Sequence, residues 1–334
     1  MSRFGATILD ADGHRLSREE RAFFRDVNPF GFIVFARNID TPDQVRALCD
    51  DFRDAVGREA PITVDQEGGR VQRLRGPTWS EWTPPMDFVT AAGDAAAEAM
   101  YLRFRLIAHE LRAIGIDSNC APMVDVPVAD THDFLRNRCY GTTPAQITAM
   151  GQAANDAMLA GGVLPVIKHI PGHGRATQDS HFELPHVSAT RAELESDFAP
   201  FSALRDTPMG MTAHVVYEAI DDAPATLSPE AMRVIREEIG FDNLIMTDDV
   251  SMKALSGTLT DITRGALAAG CDVILHCNAP LAERAEVAEA AGEMSDAAQT
   301  RAERALGYRE TPDDVDIPAL ESQLKALLGG AAYG

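Results

Sequence analysis

Residues 31–64 read GFIVFARNIDTPDQVRALCDDFRDAVGREAPITV, and the reading of this stretch decides the architecture. Its two ends, 31–35 and 62–64, are short apolar runs of the kind that strands buried on both faces require. Between them, Thr41-Pro42 reads as an N-cap and a first-turn proline. Val45, Leu48, Cys49, Phe52 and Val56 then recur at helical spacing. A strand, a helix and a second strand in so short a span form the unit that builds parallel sheets.

Working outward, the alternation repeats. Further strand-like runs lie at 6–9, 116–119, 163–167, 210–213, 244–246 and 272–276. Thr143-Pro144 opens a helix with Ile147, Met150, Gly151, Ala154 and Met158 on one face and Gly161-Gly162 at its end. Ser228-Pro229 opens another, with Met232, Ile235 and Ile239 inward and Gly240 closing it. Leu194, Phe198, Phe201 and Leu204 mark a further helix, with Pro200 placed to kink it. Eight strands alternating with helices in 334 residues predict a single-domain α/β fold, a (β/α)8 TIM-type barrel over 1–310. A doubly wound sheet is the rival, but no GxGxxG follows any of these strands. Residues 311–334 read as a C-terminal tail, in which an acidic, turn-prone stretch leads to a short helix over 317–328.

Composition bounds the partners. Apolar residues at 45% and charged residues at 24% exclude a wholly disordered chain. Against 51 Asp and Glu stand 30 Lys and Arg, a formal charge of −21, which argues against nucleic acid and against an anionic membrane surface. No run approaches the ~20 apolar residues of a membrane span, and the N-terminus has no signal-peptide pattern. Five scattered cysteines without a CxxC pair suit reduced thiols in a cytoplasm. The expectation is a cytoplasmic monomer with a small-molecule substrate.

Catalytic groups of a barrel sit just after its strands, so polar clusters at those points carry the functional reading. The third run ends in Val64-Asp-Gln-Glu-Gly-Gly-Arg-Val-Gln-Arg73. Asp65 could accept two hydroxyl hydrogen bonds from a sugar, whereas a plain Asp–Arg pair stiffening the loop is the bland alternative. The fifth run leads into Lys168-His-Ile-Pro-Gly-His-Gly174 and Asp179-Ser-His181. A contact between Asp179 and His181 needs a turn at Ser180, and would fix the imidazole tautomer for acid–base work. The seventh run ends in Thr247-Asp-Asp-Val-Ser-Met252, where adjacent carboxylates repel unless a site uses them. One could act as a nucleophile; capping the next turn explains one of the two, hardly both. His214 follows the sixth run, and Arg138 the long loop after the fourth; each has an ordinary structural reading as well.

Taken together, these four blocks resemble those of family 3 glycoside hydrolases, and within them the bacterial β-N-acetylglucosaminidases of cell-wall recycling. The resemblance covers roughly residues 5–300. It implies that Asp248 is the nucleophile of a β-retaining mechanism, with His181 as acid/base and Asp179 hydrogen-bonded to it. It implies that Asp65, Arg73, Arg138, Lys168, His169 and His214 bind substrate, with Arg138 a better match than Arg136. The implied reaction removes terminal N-acetylglucosamine from GlcNAc-1,6-anhydro-MurNAc muropeptides without metal or organic cofactor, on a loop that moves. Water is the usual acceptor, and phosphate would instead release a sugar phosphate. The alternative is a metal-dependent barrel hydrolase using His169, His173, His181, His214 and Asp248, although the first strand lacks the HxH of such enzymes. An anionic muropeptide approaching a chain of this charge predicts a cleft made locally positive by Arg73, Arg138, Lys168 and Arg175. Trp79 and Trp82 are read as loop packing ahead of sugar stacking.

Overall fold

The computed structural model describes residues 3–180 and 182–329. Eight strands fall where the apolar runs predicted them: β1 Gly5–Leu9, β2 Pro29–Val34, β3 Ile62–Val64, β4 Ser118–Asn119, β5 Leu164–Ile170, β6 Met209–Thr212, β7 Leu244–Met246 and β8 Ile274–His276. Helices follow them in alternation: α1 Arg18–Val27, α2 Pro42–Val56, α3 Ala96–Ala113, α4 Pro144–Ala160, α5 Arg191–Ala203, α6 Leu259–Ala269 and α7 Leu281–Ala291, and beyond these α8 Ile317–Leu327. The fold is α/β. Its main strands form two four-stranded parallel sheets, ordered β8-β1-β2-β3 and β4-β5-β6-β7. No continuous ladder joins all eight. Hydrogen bonds do cross both seams, from Asp117 N–H to Ile62 O (3.1 Å) and Cys120 N–H to Val64 O (2.9 Å), and from Thr247 N–H to Val273 O (3.0 Å). Residues from β1 to β7, among them Ile8, Thr63, Ser118, Val166, Met209 and Met246, line one small internal space.

Local sequence explains the elements. Thr41 and Thr143 each accept a hydrogen bond from the backbone N–H three residues on, both at 3.3 Å, satisfying a donor that the helix start leaves open. Ser228 does the same for Ala231 at 2.9 Å, but its helix is short, Pro229–Arg233, and widens into a π-turn over Val234–Glu238. Pro200 lies inside α5 and does not end it. Between β2 and α2 the apolar faces meet as rings: Phe32 stacks on Phe52 at 4.2 Å between centroids, and Phe24 of α1 meets Phe32 edge-on at 5.1 Å. Such pairs add about 0.5–1.5 kcal/mol each beyond the area they bury.

The C-terminal segment is docked. α8 packs on α3 with Leu324 buried, Arg105 pairs with Asp313 at 2.6 Å, and the Asp313 N–H donates to Ala160 O at 2.9 Å. All five cysteines are buried and unpaired. Among the described residues, no helix is long and apolar enough to cross a membrane.

Candidate active site

The C-terminal ends of β3, β5 and β7 converge on a polar cavity of about 230 Å³, which adjoins a second lobe of about 130 Å³. Asp65, Arg73, Arg138, Lys168, His169 and Asp248 all line the larger one. Asp65, Arg73 and Asp248 also border the second lobe.

On the β3 side, the chain leaves the strand at Asp65 and turns back through a hairpin, Gln66–Gly68 against Val71–Gln72. Asn119 of β4 holds the turn by accepting from Gln66 N–H (3.0 Å) and donating to Gln66 O (3.1 Å). Gly68 sits at φ +107°, and a Cβ there would lie 1.9 Å from the Arg103 guanidinium, so no side chain fits. The hairpin thereby sets two carboxylates against three cations. Asp65 meets Arg73 at 2.9 Å and Lys168 at 3.1 Å; Glu67 meets Lys168 at 2.6 Å and takes both arms of Arg138 at 3.0 and 2.8 Å. Burial pushes the Asp65 carboxyl up, but Lys168 and Arg73 outweigh it and hold it well below the usual range. Glu67 is likewise held down at about 2, burial being outweighed by Arg138 and Lys168. For Lys168 the same balance runs the other way: burial would lower it, and the two carboxylates raise it.

On the β5 side, Asp125 acts as a clasp. It accepts from the His169 ring Nδ1 at 2.7 Å and from the His173 N–H at 2.6 Å. Further along, the Tyr217 hydroxyl donates to Gly172 O (2.8 Å) and the Thr131 hydroxyl to Gly174 O (2.6 Å), while a Cβ on Gly174 would fall 1.9 Å from Val126 O. The start of this loop is therefore fixed to its neighbours. His173 bonds Ser180 at 3.2 Å, and its imidazole is pushed down to about 4 by burial and by the neighbouring His169 and Arg138, which keeps it neutral at pH 7. Asp179 is half-buried, and its carbonyl accepts from Phe182 N–H at 2.9 Å. It does not line the cavity. His181 lies outside the described residues.

On the β7 side the two aspartates part. Asp249 turns back to Ser251, taking its N–H (3.0 Å) and hydroxyl (2.8 Å), and accepts from the Cys277 thiol at 3.2 Å. Asp248 accepts the Asp249 N–H at 2.8 Å and, among the described residues, forms no salt bridge. Its carboxylate is the one that faces the larger cavity.

Three sequence expectations need correction. His214 does not line either lobe: it is buried behind them, with Nδ1 on the Thr226 hydroxyl (2.7 Å) and Nε2 on Asp249 O (3.0 Å), so both ring nitrogens are occupied. Arg175 turns to Asp197 at 2.6 Å and adds no charge to the cleft. The cations that do line it are not a simple positive surface, since Asp65 and Glu67 match three of them. Arg136 is bound to the carbonyls of Val128 and Thr131, and Trp79 and Trp82 lie outside both lobes. Sequence reading passed over Glu67, Asp125 and Phe134. Glu67 stood in the quoted block, but its partners are remote in the chain, and Asp125 carried only the signal of an acid following an apolar run. For the metal alternative, no group of three or more potential ligands is positioned for an ion among the described residues.

Comparison with known proteins fits this geometry. The family described as glycosyl hydrolase family 3 N terminal domain matches residues 6–306. A β-hexosaminidase of Methylococcus capsulatus is 39% identical over 282 residues, 82% of this chain and 83% of that one. One of Chromobacterium violaceum is 36% identical over 320 residues, 92% and 88%. Among solved structures, NagZ from Neisseria gonorrhoeae superposes with a TM-score of 0.84 at 28% identity, covering 99% of this chain and 97% of that one. That protein has also been solved in complex with N-trifluoroacetyl-D-glucosamine and with a zinc ion.

Proposed function

The chain belongs to glycosyl hydrolase family 3 and acts as a β-N-acetylhexosaminidase, and from that premise we propose a retaining exo-enzyme that removes terminal N-acetylglucosamine from muropeptides. Its substrate on this reading is GlcNAc-1,6-anhydro-MurNAc, with or without peptide, met in the cytoplasm during peptidoglycan recycling. The observation that carries the reading is that Asp248, without a salt bridge of its own among the described residues, lines the same cavity as Asp65, Arg73, Arg138, Lys168 and His169. The sugar complex of the Neisseria relative supports a carbohydrate ligand.

In the first step, an Asp248 oxygen forms a bond to the anomeric carbon as the glycosidic bond breaks, and His181 gives its proton to the departing oxygen. In the second, His181 takes a proton from water, the water oxygen bonds to the anomeric carbon from the opposite face, and Asp248 leaves. Two inversions retain the β configuration. Asp179 orients His181 and stabilises its protonated form. Asp65, Arg73, Arg138, Lys168 and His169 hold the sugar hydroxyls. His214 is then a positioning residue, fixing the Asp249 backbone and through it Asp248. No step draws on a cofactor or metal, and the working unit is a monomer.

We read the eight strands as a ring, the barrel expected over 1–310, with the described part of the C-terminal segment, residues 311–329, docked on it. The hydrogen bonds across both seams and the space lined from β1 to β7 support this. A 2-acetamido-5-fluoro glycosyl fluoride tests the chemistry. The expected result is a covalent adduct whose peptide maps to Asp248; an adduct on Asp249, or none despite turnover, overturns the mechanism.

A further inference from the structure

Four side chains with full positive charge line the larger cavity: Arg70, Arg73, Arg138 and Lys168. Three are matched from within, by Asp65 or Glu67. Arg70 is the exception. It follows the first strand of the β3 hairpin, it is exposed, and among the described residues it belongs to no salt bridge. Its guanidinium lies 4.4 Å from the centre of the Phe134 ring, and that of Arg138 lies 5.0 Å from the same ring. Phe134 thus presents Arg70 over the cavity while Arg138 remains tied to Glu67 below. Stacking on an aromatic face orients the planar fork without using its N–H donors, which leaves them for a carboxylate.

Position gives this charge a use. On the proposed function, the terminal sugar is held deepest, against the buried ion pairs, and what it was attached to projects out through the mouth. An exposed cation at the mouth meets that departing part. In a chain of net charge −21, one unmatched cation there is also the group best placed to offset the long-range repulsion of an anionic substrate. We propose that Arg70, set on Phe134, is the residue through which this enzyme prefers a leaving group bearing a carboxylate. The inference rests on the proposed function and adds to it the residue that reads the departing half.

The test compares 4-nitrophenyl β-N-acetylglucosaminide with its 3-carboxy-4-nitrophenyl counterpart, and follows the ratio of their kcat/KM values. The expected result is that Arg70→Gln lowers the charged-to-neutral ratio by roughly five- to tenfold, the size of one partly exposed charge-assisted contact. Arg70→Lys should recover part of it, and added salt should shrink the wild-type preference. An unchanged ratio in Arg70→Gln, or equal losses on both substrates, overturns the role of Arg70 while leaving the enzyme a β-N-acetylglucosaminidase. Wild-type protein that cleaves neither glycoside overturns the proposed function and this inference with it.

Discussion

The two sides of the cavity are built on opposite terms. Where β3 and β5 end, five charged side chains are locked together: Lys168 is 2% exposed, Glu67 is fully buried, and each of the three cations in this cluster has a carboxylate. Where β7 ends, Asp248 has one backbone N–H and no counter-ion among the described residues, and only its neighbour Asp249 is tied down. The difference teaches how a site divides its labour. On the proposed mechanism, the groups that hold the ligand are fixed by one another in advance. The group proposed to form the bond is left open, at the end of a strand that positions it.

The contrast breaks if the two sides respond alike to mutation. Asp248→Ala should cost roughly four orders of magnitude in kcat while leaving the thermal unfolding midpoint close to wild type. A large fall in that midpoint would mean that Asp248 is part of the lattice after all. His181→Ala should also spare stability. Its loss on an alkyl β-N-acetylglucosaminide, about 10² to 10⁴-fold, should far exceed that on a dinitrophenyl glycoside, whose leaving group needs little protonation. Equal losses on the two substrates would contradict the acid role.

Glu67→Gln probes the other side. It leaves Lys168 and Arg138 buried with too little negative charge, so about 3–5 kcal/mol of folding free energy should be lost in denaturant melts near pH 7. The pH dependence sharpens the comparison. The Glu67 carboxyl is held at about 2 in the fold against an ordinary 4.5, so its contribution is present above 4.5 and fades as pH falls toward 2. The stability gap between wild type and Glu67→Gln should therefore narrow across that window. A gap constant with pH would show that Glu67 acts by packing and not by charge.

Much of this was legible in the sequence because it was local. The apolar runs located all eight strands, and Thr41, Thr143 and Ser228 marked helix starts that their hydroxyls do cap. Asp65 and the Asp248–Asp249 pair stood out because each directly follows a strand, whereas Arg73, Lys168 and His169, and the choice of Asp248 within its pair, came from the resemblance to family 3 glycoside hydrolases. What escaped was pairing at long range. Glu67 finds Arg138 71 residues away, and Asp125 finds His169 44 residues away; no pattern along the chain ranks such partners. Arg175 was misjudged for the same reason: its sequence neighbours are loop residues, but Asp197 on α5 claims it. His214 sits at a strand end like the others, and only the placement of Thr226 and Asp249 turns it away from the cavity.

The matched lattice under the cavity has a consequence for which sugars are turned away. Its charges lost most of their hydration when the chain folded, so on the proposed function each sugar hydroxyl that arrives completes a coordination set already waiting for it. A sugar with one hydroxyl missing would leave a dehydrated ion short of a partner, a heavier penalty than any gap in shape would bring. Discrimination by such a floor is a matter of counting oxygens rather than of measuring size.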